Sequence, residues 1–168
     1  AEKPLPKTLP AGLVPGEKGS LGIYVGVYDR SPFEKTLHII PQVLTLGLGC
    51  RRGTGKDTIA LGVAQVFRER GLDPQALAGA ASIDLKADEP GLLAFCAEQQ
   101  LPVRFYSAPE LRQAPGTFPP SAFVSSVTGV DNVCQRAAAM EGGRIILEKT
   151  VCQGITLAVA EQDWEVSF

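Results

Sequence analysis

The chain has 168 residues, enough for one domain and some extra. Hydrophobic residues make up 45%, so a core can form and wholesale disorder is excluded. Eighteen acidic residues against 16 basic ones leave a net charge of -2, which argues against a nucleic-acid binder, so anion binding must come from a local cluster.

The four cysteines are Cys50, Cys96, Cys134 and Cys152. None forms a CxxC pair and three lie in apolar stretches, which predicts reduced, mostly buried thiols in a cytoplasmic protein. A secretory signal and a run of about 18 apolar residues are both missing, so neither export nor a membrane span is expected. The chain opens on Ala1 rather than Met, so it is expected to be a piece of something longer.

In chain order, residues 1–20 carry Pro4, Pro6, Pro10 and Pro15 with Gly12, Gly16 and Gly19, which is linker chemistry. Leu21–Tyr28 reads as a strand with no partner nearby, the expected last strand of a truncated upstream domain. Asp29–Pro41 reads as a connector with a short helix around Phe33–Ile39, so residues 21–42 are assigned to the upstream domain and its connector. The main domain is expected over residues 43–160, with 161–168 as a tail. Val43–Leu48 is its first strand. A helix follows, with Thr54 as N-cap, Asp57 three residues on, and Arg70-Gly71 as the stop. Next come a strand at Gly79–Asp84, a helix at Asp88–Gln99 capped by Asp88, and a strand at Val103–Tyr106. Ser107 with Glu110 has capping-box spacing over a short helix. Helices are expected at Pro119–Val127 and Asp131–Glu141, then strands at Arg144–Lys149 and Ile155–Ala160. Repeated strand–helix–strand order implies a three-layer α/β/α domain with a mixed, mostly parallel sheet and a C-terminal β-hairpin.

The stretch Gly47-Leu48-Gly49-Cys50-Arg51-Arg52-Gly53-Thr54 joins a buried strand to a helix. Helix N-termini carry free N–H groups and partial positive charge, so they bind anions. Glycines allow a sharp turn and close approach, and Arg51 and Arg52 add donor forks suited to carboxylate or phosphate. Gly49, Cys50, Arg51, Arg52, Gly53 and Thr54 are therefore candidate binding residues. A Walker loop fits poorly, because Gly55-Lys56 falls one residue late and Asp57 replaces the magnesium-binding hydroxyl. The dinucleotide pattern fails at Arg52, where glycine belongs. A tight turn with two solvated arginines is the plain alternative.

Ser82-Ile83-Asp84-Leu85-Lys86-Ala87-Asp88-Glu89-Pro90-Gly91 follows the second strand and should open on the same sheet edge. Asp84 and Lys86 are candidates for acid–base work or ligand orientation, with a surface ion pair as the alternative. Lys149 ends a strand and could reach the same crevice. His38 is the sole histidine: a general-base candidate, with plain packing as the competing reading, and unable alone to build a zinc site. The main domain contains no histidine, so no Ser-His-Asp or Cys-His set can be assembled in it. Cys50, beside two arginines at a helix start, is expected to have a lowered pKa, although a thiol packed under the turn is the safer reading.

Several of these stretches together resemble the CbiG/CobE C-terminal domain family of cobalamin biosynthesis. They are Gly47–Thr54, Ser82–Leu92, Leu101-Pro102-Val103-Arg104-Phe105-Tyr106-Ser107, Thr128-Gly129-Val130 and Lys149 with Gly154–Ala160. Pro32–Pro41 looks like the connector that precedes this domain in the longer CbiG branch. The resemblance implies cobalt-precorrin-5A hydrolase activity of the anaerobic pathway, which opens a δ-lactone and releases the extruded ring carbon as acetaldehyde. It equally leaves open a non-catalytic tetrapyrrole-binding module like CobE. The implied partners are a cobalt-precorrin and other enzymes of the pathway, with neither nucleic acid nor membrane. Cobalt would arrive inside the substrate, so no cofactor or protein-bound metal is expected. Asp84, Lys86 and His38 are then the candidate catalytic residues, and Arg51, Arg52, Lys86 and Lys149 the candidate grips on a carboxylate-rimmed macrocycle.

Overall fold

A computed structural model describes residues 1–118 and 132–167. The expected helix at Pro119–Val127, the hydroxyls of Ser125, Ser126 and Thr128, and the motif Thr128-Gly129-Val130 lie outside the described residues.

The main sheet has five strands: β3 (Leu44–Cys50), β4 (Leu77–Ile83), β5 (Val103–Tyr106), β6 (Arg144–Cys152) and β7 (Ile155–Glu161). Their spatial order is β5-β4-β3-β7-β6. The first three are mutually parallel, and β7 runs antiparallel to both β3 and β6. The sheet is therefore mixed, with a C-terminal hairpin, and helices cover both faces.

Side-chain alternation along β3 explains the layering. Leu44, Leu46 and Leu48 face one way, into a core with Ile59, Val63, Val66 and Phe67 of α1 (Lys56–Arg70) and Leu92, Phe95 and Cys96 of α2 (Pro90–Glu98). Each such side chain contributes ~1.5–3 kcal/mol when fully buried. Gly47 faces the other way. A Cβ there would lie 1.8 Å from the Cys134 carbonyl oxygen, so the N-terminus of α4 (Val133–Met140) rests directly on the strand. Buried Ala137 and Ala138 on this helix and Ala158 and Ala160 on β7 suit the same close layer. Ala81 and Ile83 of β4 join Leu111 of the short α3 (Ala108–Arg112), Val133 and Ala137 in a second, smaller core.

Local signals account for most boundaries. Gly71, with φ 65°, caps α1 in the left-handed region and donates to the Phe67 and Arg68 carbonyls. The Ser107–Glu110 capping box forms as its spacing predicts. Two caps differ from expectation. Gly55, not Thr54, precedes α1, because the Thr54 hydroxyl donates to the Arg51 carbonyl at 2.7 Å instead. Glu89, not Asp88, precedes α2, where Pro90 at the first helical position needs no N–H partner.

The upstream segment also differs. Leu21–Val25 (β1) does have a partner: it pairs in parallel with Lys35–Ile39 (β2), where a short helix was expected. Thr36-Leu37-His38-Ile39 alternates polar and apolar residues, a short period-2 pattern that the preceding Pro32 and Glu34 disguise as a helix start. The Phe33 ring occupies the space over Gly22. An isolated bridge between Tyr28 and Leu72 ties this segment to the end of α1.

Candidate functional site at the carboxyl edge of the sheet

The chain leaves β3 toward β4 and β5, then crosses to β6 and β7 on the other side of β3. This reversal is a topological switch point, and crevices in α/β sheets open there beyond the carboxyl ends of the strands. Gly49 and Cys50 end β3 at that place, opposite Thr156 and Ile155 of β7. Ser82 of β4 donates a 2.7 Å hydrogen bond to the Leu48 carbonyl. The Thr156 hydroxyl lies over Gly49, where a Cβ would sit only 2.4 Å from its oxygen. Gly47 is thus required by packing against the α4 backbone, while a side chain at Gly49 would have to displace the Thr156 hydroxyl. Gly53, at φ 78°, is required by the turn itself.

The organising residue above the strand ends is Glu89. Its side chain is 3% exposed, yet it meets three donors. One carboxylate oxygen accepts the Gly53 backbone N–H at 2.9 Å, and the other lies 3.2 Å from Lys86 Nζ and 3.8 Å from Arg52 Nε. The Gly53 amide, then Lys86 and Arg52, hold this carboxyl below its ordinary pKa against the opposing effect of burial. Gly91 makes the approach possible, since a Cβ there would lie 2.0 Å from the Thr54 carbonyl oxygen. Part of the turn's capacity for anions is therefore filled from within. Sequence reading passed over Glu89 because it directly precedes a helix and looks like first-turn decoration. The available signal was its place three residues after Lys86, beside Pro90-Gly91.

Arg52 is 73% exposed at its side chain and also lies 3.7 Å from Asp88. Arg51 is exposed, and among the described residues its guanidinium has no acidic partner. Below it, α1 starts without a side-chain cap. Its first intrahelical bond is from the Ile59 N–H to the Gly55 carbonyl, so the N–H groups of Lys56, Asp57 and Thr58 have no intrahelical acceptor.

The other expected residues are distributed as follows. Asp84 is exposed and opens a single 3-10 turn, Asp84–Lys86, at the end of β4. Lys86 turns to Glu89 rather than to Asp84, so no acid–base pair forms between those two. Lys149 does not end its strand: β6 continues to Cys152, with a register irregularity between Leu147 and Thr150. Lys149 lies close enough to Cys134 to favour its thiolate. Burial outweighs that pull and raises the Cys134 pKa to about 11. Cys50 reverses the expectation: burial under the turn raises its pKa and outweighs Lys86 and the Thr54 hydrogen bond. It is a packed thiol, not an activated one.

His38 is not part of this group. It sits beside Asp73, ahead of β4, whereas Asp84 follows β4. Seven strand residues at ~3.3 Å each put the two about 20 Å apart. Two cavities among the described residues, of about 150 and 560 Å³, also open toward the starts of β3–β5, lined by Thr45, Gly79 and Glu141 in one and Gln42, Pro74 and Leu101 in the other. At the carboxyl edge Arg51 and Arg52 are exposed and Lys86 is half-buried. No helix among the described residues is long and apolar enough to cross a membrane.

A family model described as cobalamin synthesis G C-terminus matches residues 44–160. A cobalt-precorrin-5A hydrolase of Salmonella typhimurium is 34% identical over 122 residues, covering 72% of this chain and 35% of that protein. Protein CobE of a Sinorhizobium species is 34% identical over 121 residues, 70% of this chain and 79% of CobE. A crystal structure of CobE, described as a protein from the cobalamin (vitamin B12) biosynthetic pathway, superposes with a TM-score of 0.67 at 31% identity, covering 76% of this chain and 95% of that one. The chain thus spans about a third of the hydrolase and most of CobE.

Proposed function

From the premise that this chain belongs to the cobalamin synthesis G C-terminal family, and so takes part in cobalamin biosynthesis, we propose that its carboxyl edge grips the acidic rim of a cobalt-precorrin. One observation carries the reading: an uncapped helix N-terminus and an arginine with no acidic partner among the described residues meet at the switch point of the sheet. A precorrin is a large flat macrocycle edged with carboxylates. Exposed guanidinium groups suit such a plate, whose carboxylates lie at its margin. Arg51 meets one carboxylate, the α1 amides a second, and Arg52 trades Asp88 for a third. Asp57 in the first turn of α1 repels a doubly charged phosphate more than a singly charged carboxylate, which weighs against a nucleotide.

This geometry favours a binding module of the CobE kind. Lys86 is engaged by Glu89, Cys50 is unactivated, and His38 is remote. A second reading keeps the hydrolase chemistry, because 34% identity links the chain to a protein of that name. In that reading Asp84 takes a proton from water. The hydroxide adds to the lactone carbonyl, and the ring C–O bond breaks to give a carboxylate and a hydroxyl, while α1 amides steady the oxyanion. Acetaldehyde leaves in a following step, as the freed hydroxyl becomes its carbonyl, the C–C bond to the macrocycle breaks, and the bonding pair and the hydroxyl proton pass to the macrocycle.

Incubation of the chain with cobalt-precorrin-5A, followed by absorbance and by acetaldehyde release, tests both. Binding without acetaldehyde supports the module and turnover supports the hydrolase. Absence of binding contradicts both.

A further inference from the structure

The edge opposite the proposed precorrin rim carries a different chemistry. Asp29, His38 and Asp73 place one ligand atom each within 4.8 Å of one another. They come from three separated segments: the turn after β1, the strand β2, and the link between α1 and β4. Backbone bonds clamp those segments together. The Asp29 N–H donates to the Gly71 carbonyl and the Asp73 N–H to the Val27 carbonyl, both at 2.8 Å.

The histidine ring is oriented. Its Nε2 lies 3.0 Å from the Gly26 carbonyl, an acceptor only, so Nε2 carries the hydrogen and donates. The Tyr24 ring packs on it with centroids 5.0 Å apart. Nδ1 then faces Asp73 Oδ2 at 3.8 Å, with the Asp29 carboxylate beside it. Asp73 Oδ1 is occupied by the Gln75 N–H, which fixes the carboxylate with Oδ2 turned to the ring. With Nε2 committed to the Gly26 carbonyl, Nδ1 is the ring atom left to share a cation with the two carboxylates. An imidazole nitrogen with its other N–H given to a backbone carbonyl is the usual posture of a metal-bound histidine.

We propose that Asp29, His38 and Asp73 bind a divalent transition metal of the zinc type, which fastens the β1–β2 pair to the end of α1. One imidazole and two carboxylates favour zinc or a neighbouring first-row ion over magnesium or calcium, which take all-oxygen sets. Ligand bonds of ~2.0–2.2 Å need the three side chains to draw in by small rotations. The spacing rules for zinc sites miss this set because its members lie nine and 35 residues apart along the chain and include no cysteine. The inference is independent of the ligand proposed at the other edge.

The test is thermal unfolding and calorimetric titration of metal-stripped protein with zinc chloride. It is run in a Cys50→Ser/Cys152→Ser background, which removes the two thiols that are not fully buried. One zinc per chain and a rise in Tm of roughly 5 °C or more are expected. Magnesium chloride should give no rise. Asp29→Asn, at an exposed position, and His38→Ala should each weaken zinc binding by at least about tenfold. No response to zinc, as when a proton alone fills the gap, overturns the proposal. So does an undiminished response in Asp29→Asn.

Discussion

Glu89 shows how one carboxylate can set the shape of a loop. Its contact with the Gly53 N–H holds the turn against α2, and three donors keep it ionised. A carboxyl depressed below its ordinary value of 4.5 contributes stability that is complete above that value and is lost as pH falls through the lower, folded value. Glu89→Gln should therefore lower Tm at neutral pH. The gap between the two proteins should stay constant down to about pH 5 and narrow below it. A gap that widens on acidification would contradict this assignment. The thiols offer a second check at the same scale. Burial raises both Cys96 and Cys134 to about 11, so at pH 8 only ~0.1% of each is thiolate. Ellman's reagent should reach these two only as the protein unfolds. Rapid labelling of either in the native state would contradict their burial.

The elements approach one another as closely as glycine alone permits. Ala at Gly91 would add ~1 kcal/mol of helix propensity. Against this, its Cβ would collide with the Thr54 carbonyl. Sterics should win, with Gly91→Ala costing about 1–3 kcal/mol in chemical denaturation. Gly47→Ala should cost at least as much, since the clash is with the backbone of α4. Neutral effects would mean these contacts are looser than described. Element order was largely legible, because β3, α1, α2 and the Ser107 capping box each carry a clear period or cap. The parallel partner of β1 was not. Parallel pairing depends on residues distant along the chain, and four alternating residues, 36–39, do not announce which state they choose. The end of β6 was missed for a related reason: its irregular register breaks the alternation near Lys149.

At the scale of the whole molecule, the sheet order decides where chemistry can gather. Strand ends collected Gly49, Arg51, Arg52, Asp84 and Lys86 at one edge, as a reader of the sequence could expect from the strand-end rule. His38 went to the opposite edge, because its strand pairs outside the main sheet. The partnership of Glu89 with Gly53 was invisible for a similar reason: it spans 36 residues and depends on how α2 docks. The proposed role of Arg51 and its neighbour is to hold an acidic macrocycle at the end of β3. It is tested most directly by spectral titration with cobalt-precorrin-5A of the unaltered chain and an Arg51→Ala/Arg52→Ala variant. Both side chains are exposed, so the variant should keep its fold and lose at least about tenfold in affinity, since a single charged hydrogen bond is worth ~1.5–3 kcal/mol. Equal affinity in the two proteins would contradict the account.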